Sequence, residues 1–173
     1  MTVKEALKRA ECVLSSITDE PKSEAKIIVS HLADTEPNRL PFFSGEIAKE
    51  ALEQILLKRL DRIPLQYILG KWWFYGYEFL VGEGVLIPRQ DTELLVETSL
   101  ELLKDIPDAE VCDLCSGSGC IAISLAKERQ DITVTAVEKF DRAYGYLIDN
   151  IKHNDVKNVK PIKADVTLES FGM

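Results

Sequence analysis

The chain has 173 residues, enough for one ordinary domain or for a small domain joined to part of a larger one. With 46% hydrophobic and 29% charged residues it has a globular composition that argues against disorder, and no run nears the roughly 20 apolar residues of a membrane span. The net charge is −8, with 11 basic and 12 acidic side chains in residues 1–80 against 10 and 17 in residues 81–173, so no basic stripe is available to neutralise phosphates. The N-terminus alternates charge and lacks the apolar segment of a secretory signal. A soluble cytoplasmic protein, without membrane or direct nucleic-acid contact, is expected.

The first elements read as helices. Thr2-Val3-Lys4-Glu5 has the form of a capping box, and Val3, Ala6, Leu7, Ala10, Val13, Leu14 and Ile17 follow at helical spacing. A second helix starts near Pro21, with Ala25, Ile28, Val29 and Leu32 on one face. A third follows Ser44-Gly45, with Ile47, Ala51, Leu52, Ile55, Leu56 and Leu60 as its stripe. Such stripes either pack on one another as a bundle or form a partner groove, and the bundle is the expectation. After Pro64 the aromatic-rich run from Lys71 to Val81, with Gly76 near its middle, predicts a short β-hairpin. Its aromatic side chains could stack bases, but without flanking basic residues a hinge between two domains is the better reading. Asp91 or Thr92 then caps a helix whose apolar positions include Leu94, Leu95, Leu102 and Leu103.

From about residue 110 strands alternate with helices, which predicts an α/β fold with parallel βαβ units. Val111-Cys112-Asp113-Leu114-Cys115 is a buried-type strand, Ser116-Gly117-Ser118-Gly119 a tight loop, and Cys120 to Ala126 opens a helix. Residues 132–137 form a β-branched strand ending at Glu138, and residues 159–164 a third strand ending at Asp165. Cys112, Cys115 and Cys120 invite a metal reading. The first two straddle a strand end and point to opposite faces, and no fourth ligand lies nearby, so no metal is expected and the thiols are taken as reduced.

The glycine loop joins a strand to a helix N-terminus, where glycines let the backbone turn and a ligand approach closely. It lacks the G-x-G-x-x-G of a dinucleotide site and the Gly-Lys-Ser/Thr of a P-loop, so it suits a ligand with little phosphate charge. Glu138 at its strand end can accept from both hydroxyls of a ribose. Asp165 falls on the same carboxyl edge of the sheet. A neutral glycine loop, a ribose acceptor and an acidic third-strand terminus together are what S-adenosylmethionine requires.

Three segments carry a family resemblance. They are Pro64-Leu65-Gln66-Tyr67-Ile68-Leu69-Gly70, Phe74-Tyr75-Gly76, and the run Val85-Leu86-Ile87-Pro88-Arg89-Gln90-Asp91-Thr92-Glu93-Leu94-Leu95-Val96-Glu97. With Asp113-Leu114-Cys115-Ser116-Gly117-Ser118-Gly119-Cys120-Ile121-Ala122-Ile123 added, the whole chain resembles the HemK/PrmC family of release-factor glutamine N5-methyltransferases. The resemblance implies an α/β architecture in three parts. Residues 1–70 would be a helical bundle that docks the substrate, 71–88 a β-hairpin linker, and 89–173 the first half of a Rossmann-like S-adenosylmethionine-dependent methyltransferase domain, with strands in the order 3-2-1. It also implies S-adenosylmethionine as cofactor, S-adenosylhomocysteine as product and peptide chain release factors as partners.

By position, Cys115, Ser116, Gly117, Ser118 and Gly119 would form the loop beneath the methionine moiety, and Asp113 would support it. Glu138 would hold the ribose, while Asp165 and Val166 would flank adenine. Arg89 and Thr92 fall in a segment that abuts the cofactor pocket, and Asn150 matches a structural asparagine. Cys115 stands where many relatives have glycine, a change expected to be tolerated if φ there is negative. Glu138 replaces the more usual aspartate, and Trp73 stands where the family often has glutamate. The family's catalytic Asn-Pro-Pro-Tyr is absent from these residues. The resemblance therefore implies an N-terminal piece with no catalytic residue of its own, negligible activity alone, and an open first-strand edge through which copies could associate. Two other classes stay open, a non-catalytic cofactor- or partner-binding module and a nucleic-acid amino-methyltransferase.

Overall fold

The computed structural model describes residues 1–168. It divides into two compact units, the first Met1–Leu69 and the second from Gly70 onward.

The first unit is helical: α1 (Val3–Leu14), α2 (Pro21–Leu32), α3 (Lys49–Leu60) and α4 (Leu65–Leu69), with a single 3-10 turn at Leu40–Phe42. The capping box is formed. Thr2 Oγ1 accepts from the Glu5 N–H at 3.3 Å, and Glu5 Oε2 accepts from the Thr2 N–H at 2.9 Å. Small residues on α1 (Ala6, Ala10) let α2 approach, and Leu14, Ile28, Leu52 and Leu56 fill the space between the helices. The third helix starts later than its stripe suggested. Ile47 is buried ahead of it, exchanging main-chain hydrogen bonds with Met1, and Leu60 at its far end is exposed.

The second unit begins with the hairpin β1 (Lys71–Phe74) and β2 (Tyr77–Leu80), antiparallel with Phe74 opposite Tyr77. Its two turn residues, Tyr75 and Gly76, have φ of 51° and 77°. Positive φ at both central positions is what a type I′ turn requires. Phe74 and Phe79 meet edge to face at 6.1 Å and are buried in the core of this unit, so the hairpin read as a linker is part of the α/β body.

Next come α5 (Glu93–Leu103), β3 (Glu110–Leu114), α6 (Cys120–Glu128), β4 (Thr133–Glu138), α7 (Asp141–His153) and β5 (Val159–Lys163). The three later strands pair in parallel in the order β3-β4-β5, the α/β arrangement expected. Among the described residues β3 pairs with β4 alone. Helix α5 differs from its sequence reading. It buries Val96 and half-buries Leu100 and Leu103, an i, i+4, i+7 set, while Leu94, Leu95 and Leu102 face solvent. Thr92 occupies its N-cap position but makes no side-chain cap bond. Among the described residues no helix is long and apolar enough to cross a membrane.

Candidate functional site

The carboxyl ends of β3, β4 and β5 bring the acidic residues and the glycine loop together. After Leu114 the backbone enters the left-handed region three times, at Cys115 (φ 64°), Gly117 (φ 57°) and Gly119 (φ 80°). The two glycines serve different ends. A Cβ on Gly117 would meet nothing within 4 Å, so the main chain there lies bare to an approaching ligand. A Cβ on Gly119 would stand 2.5 Å from Leu147 Cδ1, so glycine is needed for α6 to start against α7. Cys115 corrects an expectation: its φ is positive, so a side chain sits where the backbone favours glycine, at a strain of about 1–2 kcal/mol.

The loop turns its own N–H groups inward. Ser116 N–H donates to Val137 O (2.9 Å), Gly117 N–H to Glu138 Oε2 (2.9 Å) and Gly119 N–H to Ser116 O (2.8 Å). A phosphate-binding loop needs such groups aimed at the ligand. Here three of them are already paired within the protein, so the loop offers fewer free donors than a phosphate nest and fits a ligand whose portion at the loop is not phosphate. Below the loop, Asp113 Oδ2 accepts from the Ala122 N–H at 3.3 Å and ties β3 to α6. Burial raises the Asp113 pKa, opposed by hydrogen bonds from Ser116 and the Ala122 N–H. Burial likewise pushes the Cys120 thiol up to about 11, leaving an inert thiol.

Glu138 is only 5% exposed. Its Oε2 accepts from Gly117 and its Oε1 from the Phe140 N–H at 2.8 Å. Each carboxylate oxygen keeps a second lone pair, so a fixed acceptor pair stands beside the bare Gly117 backbone. Asp165 lies one residue beyond Ala164, whose N–H donates to Glu138 O, and its carboxylate pairs with Lys139 at 2.7 Å. The Lys139 ammonium and the Thr167 hydroxyl and N–H hold the Asp165 pKa down at about 2. Val166 is half-buried beside it.

Of the residues singled out from sequence, Ser116 Oγ donates to Asp113 O and Gly117 N–H to Glu138 Oε2, two pairs made contiguous by the Ser116–Gly117 peptide bond. Asp165 joins them through Lys139 and Ala164. Arg89 is exposed and Thr92 half-buried at the start of α5, and no hydrogen bond or ion pair among the described residues links either to the loop.

Two residues next to Glu138 and one on α7 complete the site. Lys139 bridges to Asp165. Phe140, 66% exposed, stands at the N-cap of α7 with the Lys139 ammonium 5.7 Å from its ring centre. Asn150 is fully buried and clamps β2 to the loop: Oδ1 accepts from Leu80 N–H (2.6 Å), and Nδ2 donates to Leu80 O (3.0 Å) and Ser118 O (2.9 Å). The position of Lys139 and Phe140, directly after the strand-end acid, was the signal available for them. Among the described residues no group of three or more His, Cys, Asp or Glu is placed to hold a metal ion.

A parallel sheet with a glycine loop after its first strand and an acid ending its second defines a Rossmann-like methyltransferase domain. Residues 90–171 match the methyltransferase small domain, and residues 5–70 match the PrmC N-terminal domain. The release factor glutamine methyltransferase of Fusobacterium nucleatum is 35% identical over 164 residues, covering 92% of this chain and 46% of that protein. That of Thermodesulfovibrio yellowstonii is 38% identical over 148 residues, covering 83% and 53%. The crystal structure of M. jannaschii TYW2 in complex with AdoMet is 32% identical with a TM-score of 0.45, covering 55% of this chain and 42% of that one. The chain carries a PrmC N-terminal domain followed by a methyltransferase small domain, resembles release factor glutamine methyltransferases across both, and spans about half the length of the curated relatives it matches.

Proposed function

We propose that this protein transfers a methyl group from S-adenosylmethionine to the side-chain nitrogen of the glutamine in a release factor's Gly-Gly-Gln motif, acting in the cytoplasm. The observation that carries this reading is that likeness to release factor glutamine methyltransferases runs through both units, at 35% identity over 164 residues. The residues present fit the cofactor. A glycine loop without lysine, open at Gly117, suits an amino-acid end with no net charge, and the buried Glu138 offers paired acceptors for vicinal hydroxyls. S-adenosylmethionine, when bound, supplies a methyl already activated on a sulfonium, so positioning is the larger part of the protein's task. In this reading Gly117 admits the ligand to the main chain and Glu138 fixes its ribose. Asp165 accepts from an exocyclic amine, and Val166 and Phe140 offer apolar contact.

Two measurements test this. Titration of S-adenosylhomocysteine into the wild-type chain and into Glu138→Gln should show binding that weakens about tenfold or more when one acceptor is lost, about 1.4 kcal/mol. Equal affinities would remove Glu138 from the site. Incubation with a methyl-labelled cofactor and a purified release factor, followed by mass spectrometry of the Gly-Gly-Gln peptide, decides whether these residues suffice. Label on the glutamine supports the transfer and overturns the expectation of negligible activity alone, while no label with cofactor bound limits these residues to cofactor binding. Label found instead on RNA would replace the protein substrate with a nucleic-acid one.

A further inference from the structure

A groove of about 640 Å³ runs along the first unit between α1, α2 and the 3-10 turn. Its apolar lining includes Val3, Leu7, Leu40 and Phe43, of which Leu40 is buried and the others are half-buried. Phe42, 87% exposed, projects from the same turn. The rim is cationic. Lys4 and Lys8 stand four residues apart on α1, and Lys22 and Lys26 four apart on α2, so each pair lies along one face of its helix. One acid, Glu11, shares the lining and meets Lys22 at 3.9 Å. Among the described residues no acidic side chain lies within ion-pair distance of Lys4, Lys8 or Lys26. Residues 1–80 carry 11 basic and 12 acidic side chains, so gathering four lysines against one glutamate here is a local departure from a near-neutral background.

We infer that this groove is a docking site for an acidic amphipathic helix of a protein partner, whose apolar face fills the strip between α1 and α2 while its carboxylates meet the two lysine rows. An apolar strip flanked by two rows of like charge is complementary to a helix bearing apolar residues at i, i+3, i+4 and i+7 with acids on both flanks. The charge complementarity sets orientation and association rate, and the apolar strip supplies the buried area. A nucleic acid would satisfy the lysines but leave the apolar strip and Phe42 uncovered. The groove shares no residue with the loop or Glu138, so loss of peptide binding with S-adenosylhomocysteine binding intact counts against the groove and not against the cofactor site.

The test uses the full 173-residue chain, isotopically labelled, titrated with a synthetic amphipathic peptide of about four helical turns built from leucine and glutamate. Saturable shifts at the amides of α1, α2 and Phe43 are expected, with the dissociation constant rising about tenfold or more in Lys8→Glu/Lys26→Glu and recovering in Lys8→Arg/Lys26→Arg. Should the charge-reversed chain lose its helical circular dichroism, Lys8→Gln/Lys26→Gln together with a salt titration takes its place, and weakening in both is expected. Equal binding of a leucine–lysine peptide, shifts confined to the second unit, or an RNA oligonucleotide that binds the groove as tightly as the peptide would each overturn the inference.

Discussion

In the helical unit two forked long-range ion pairs run between side-chain ends, beside the Arg62 Nη1 bond to Ile17 O at 3.0 Å. Arg59 grips Glu24 with both nitrogens of its fork, and Arg9 does the same to Glu53 at 2.7 and 2.8 Å. In the α/β unit most run from side chain to main chain, with Tyr77–Glu128 and Lys139–Asp165 as side-chain pairs beside them. Asn150 meets Leu80 and Ser118, Asn154 meets Glu78 O, and Asn158 meets Ala126 O, Arg129 O and Ile132 O, while Glu138 takes Gly117 N–H. The reason is where backbone groups are left over. Helices satisfy their own ladders and leave only termini, whereas the free edge of a two-stranded hairpin and the junctions between helix, loop and strand leave N–H and C=O groups unpaired. An asparagine carries donor and acceptor together and can stand in for the missing strand. The forked ion pairs of the first unit are therefore exchangeable in pairs, and the asparagine bonds of the second are not, because one partner is main chain.

The largest test of this contrast is Asn150→Leu. It fills the volume but orphans Leu80 N–H, Leu80 O and Ser118 O, so denaturant unfolding should show a loss of about 4 kcal/mol. A loss near 1 kcal/mol would mean water replaces the clamp. In the helical unit Arg59→Met should cost about 2–3 kcal/mol by stranding the nearly buried Glu24, and adding Glu24→Leu should restore most of it. Failure of that rescue would show the pair is as irreplaceable as Asn150.

A smaller effect of opposite sign is expected at the loop. Cys115→Gly relieves about 1–2 kcal/mol of left-handed strain and loses part of that to unfolded-chain entropy, so it should stabilise by about 0.5–1 kcal/mol. Smallest is Lys139→Met, read by carboxyl NMR titration. The Asp165 pKa, about 2 with Lys139 present, should rise toward the ordinary value of about 3.9. Because that pKa is depressed, its contribution to stability is present above the unfolded value and fades as pH falls through about 2; the variant should keep only the smaller part due to Thr167.

The sequence made some of this legible and not the rest. β3, its loop and α6 could be read because an apolar run, a Ser-Gly-Ser-Gly turn and a helical apolar run follow one another without ambiguity. Helix α5 was misread because apolar residues lie all round it, and only packing selects Val96, Leu100 and Leu103 over Leu94, Leu95 and Leu102. The sign of φ at Cys115 was hidden, since a residue with a Cβ argues for negative φ and the turn overrode it. Glu138 and Asp165 were readable as strand-end acids. The Lys139 bridge between them was not, because it depends on β4 and β5 being neighbours and on a rotamer no local pattern specifies.

The clamp at Asn150 has a dynamic consequence. The Leu80 amide proton is held by a side chain of α7 and not by a neighbouring strand, so its exchange with solvent is gated by α7 leaving the hairpin. The same side chain holds Ser118. The deuterium uptake of one hairpin amide is thus a clock for the opening of the glycine loop, readable with no ligand present.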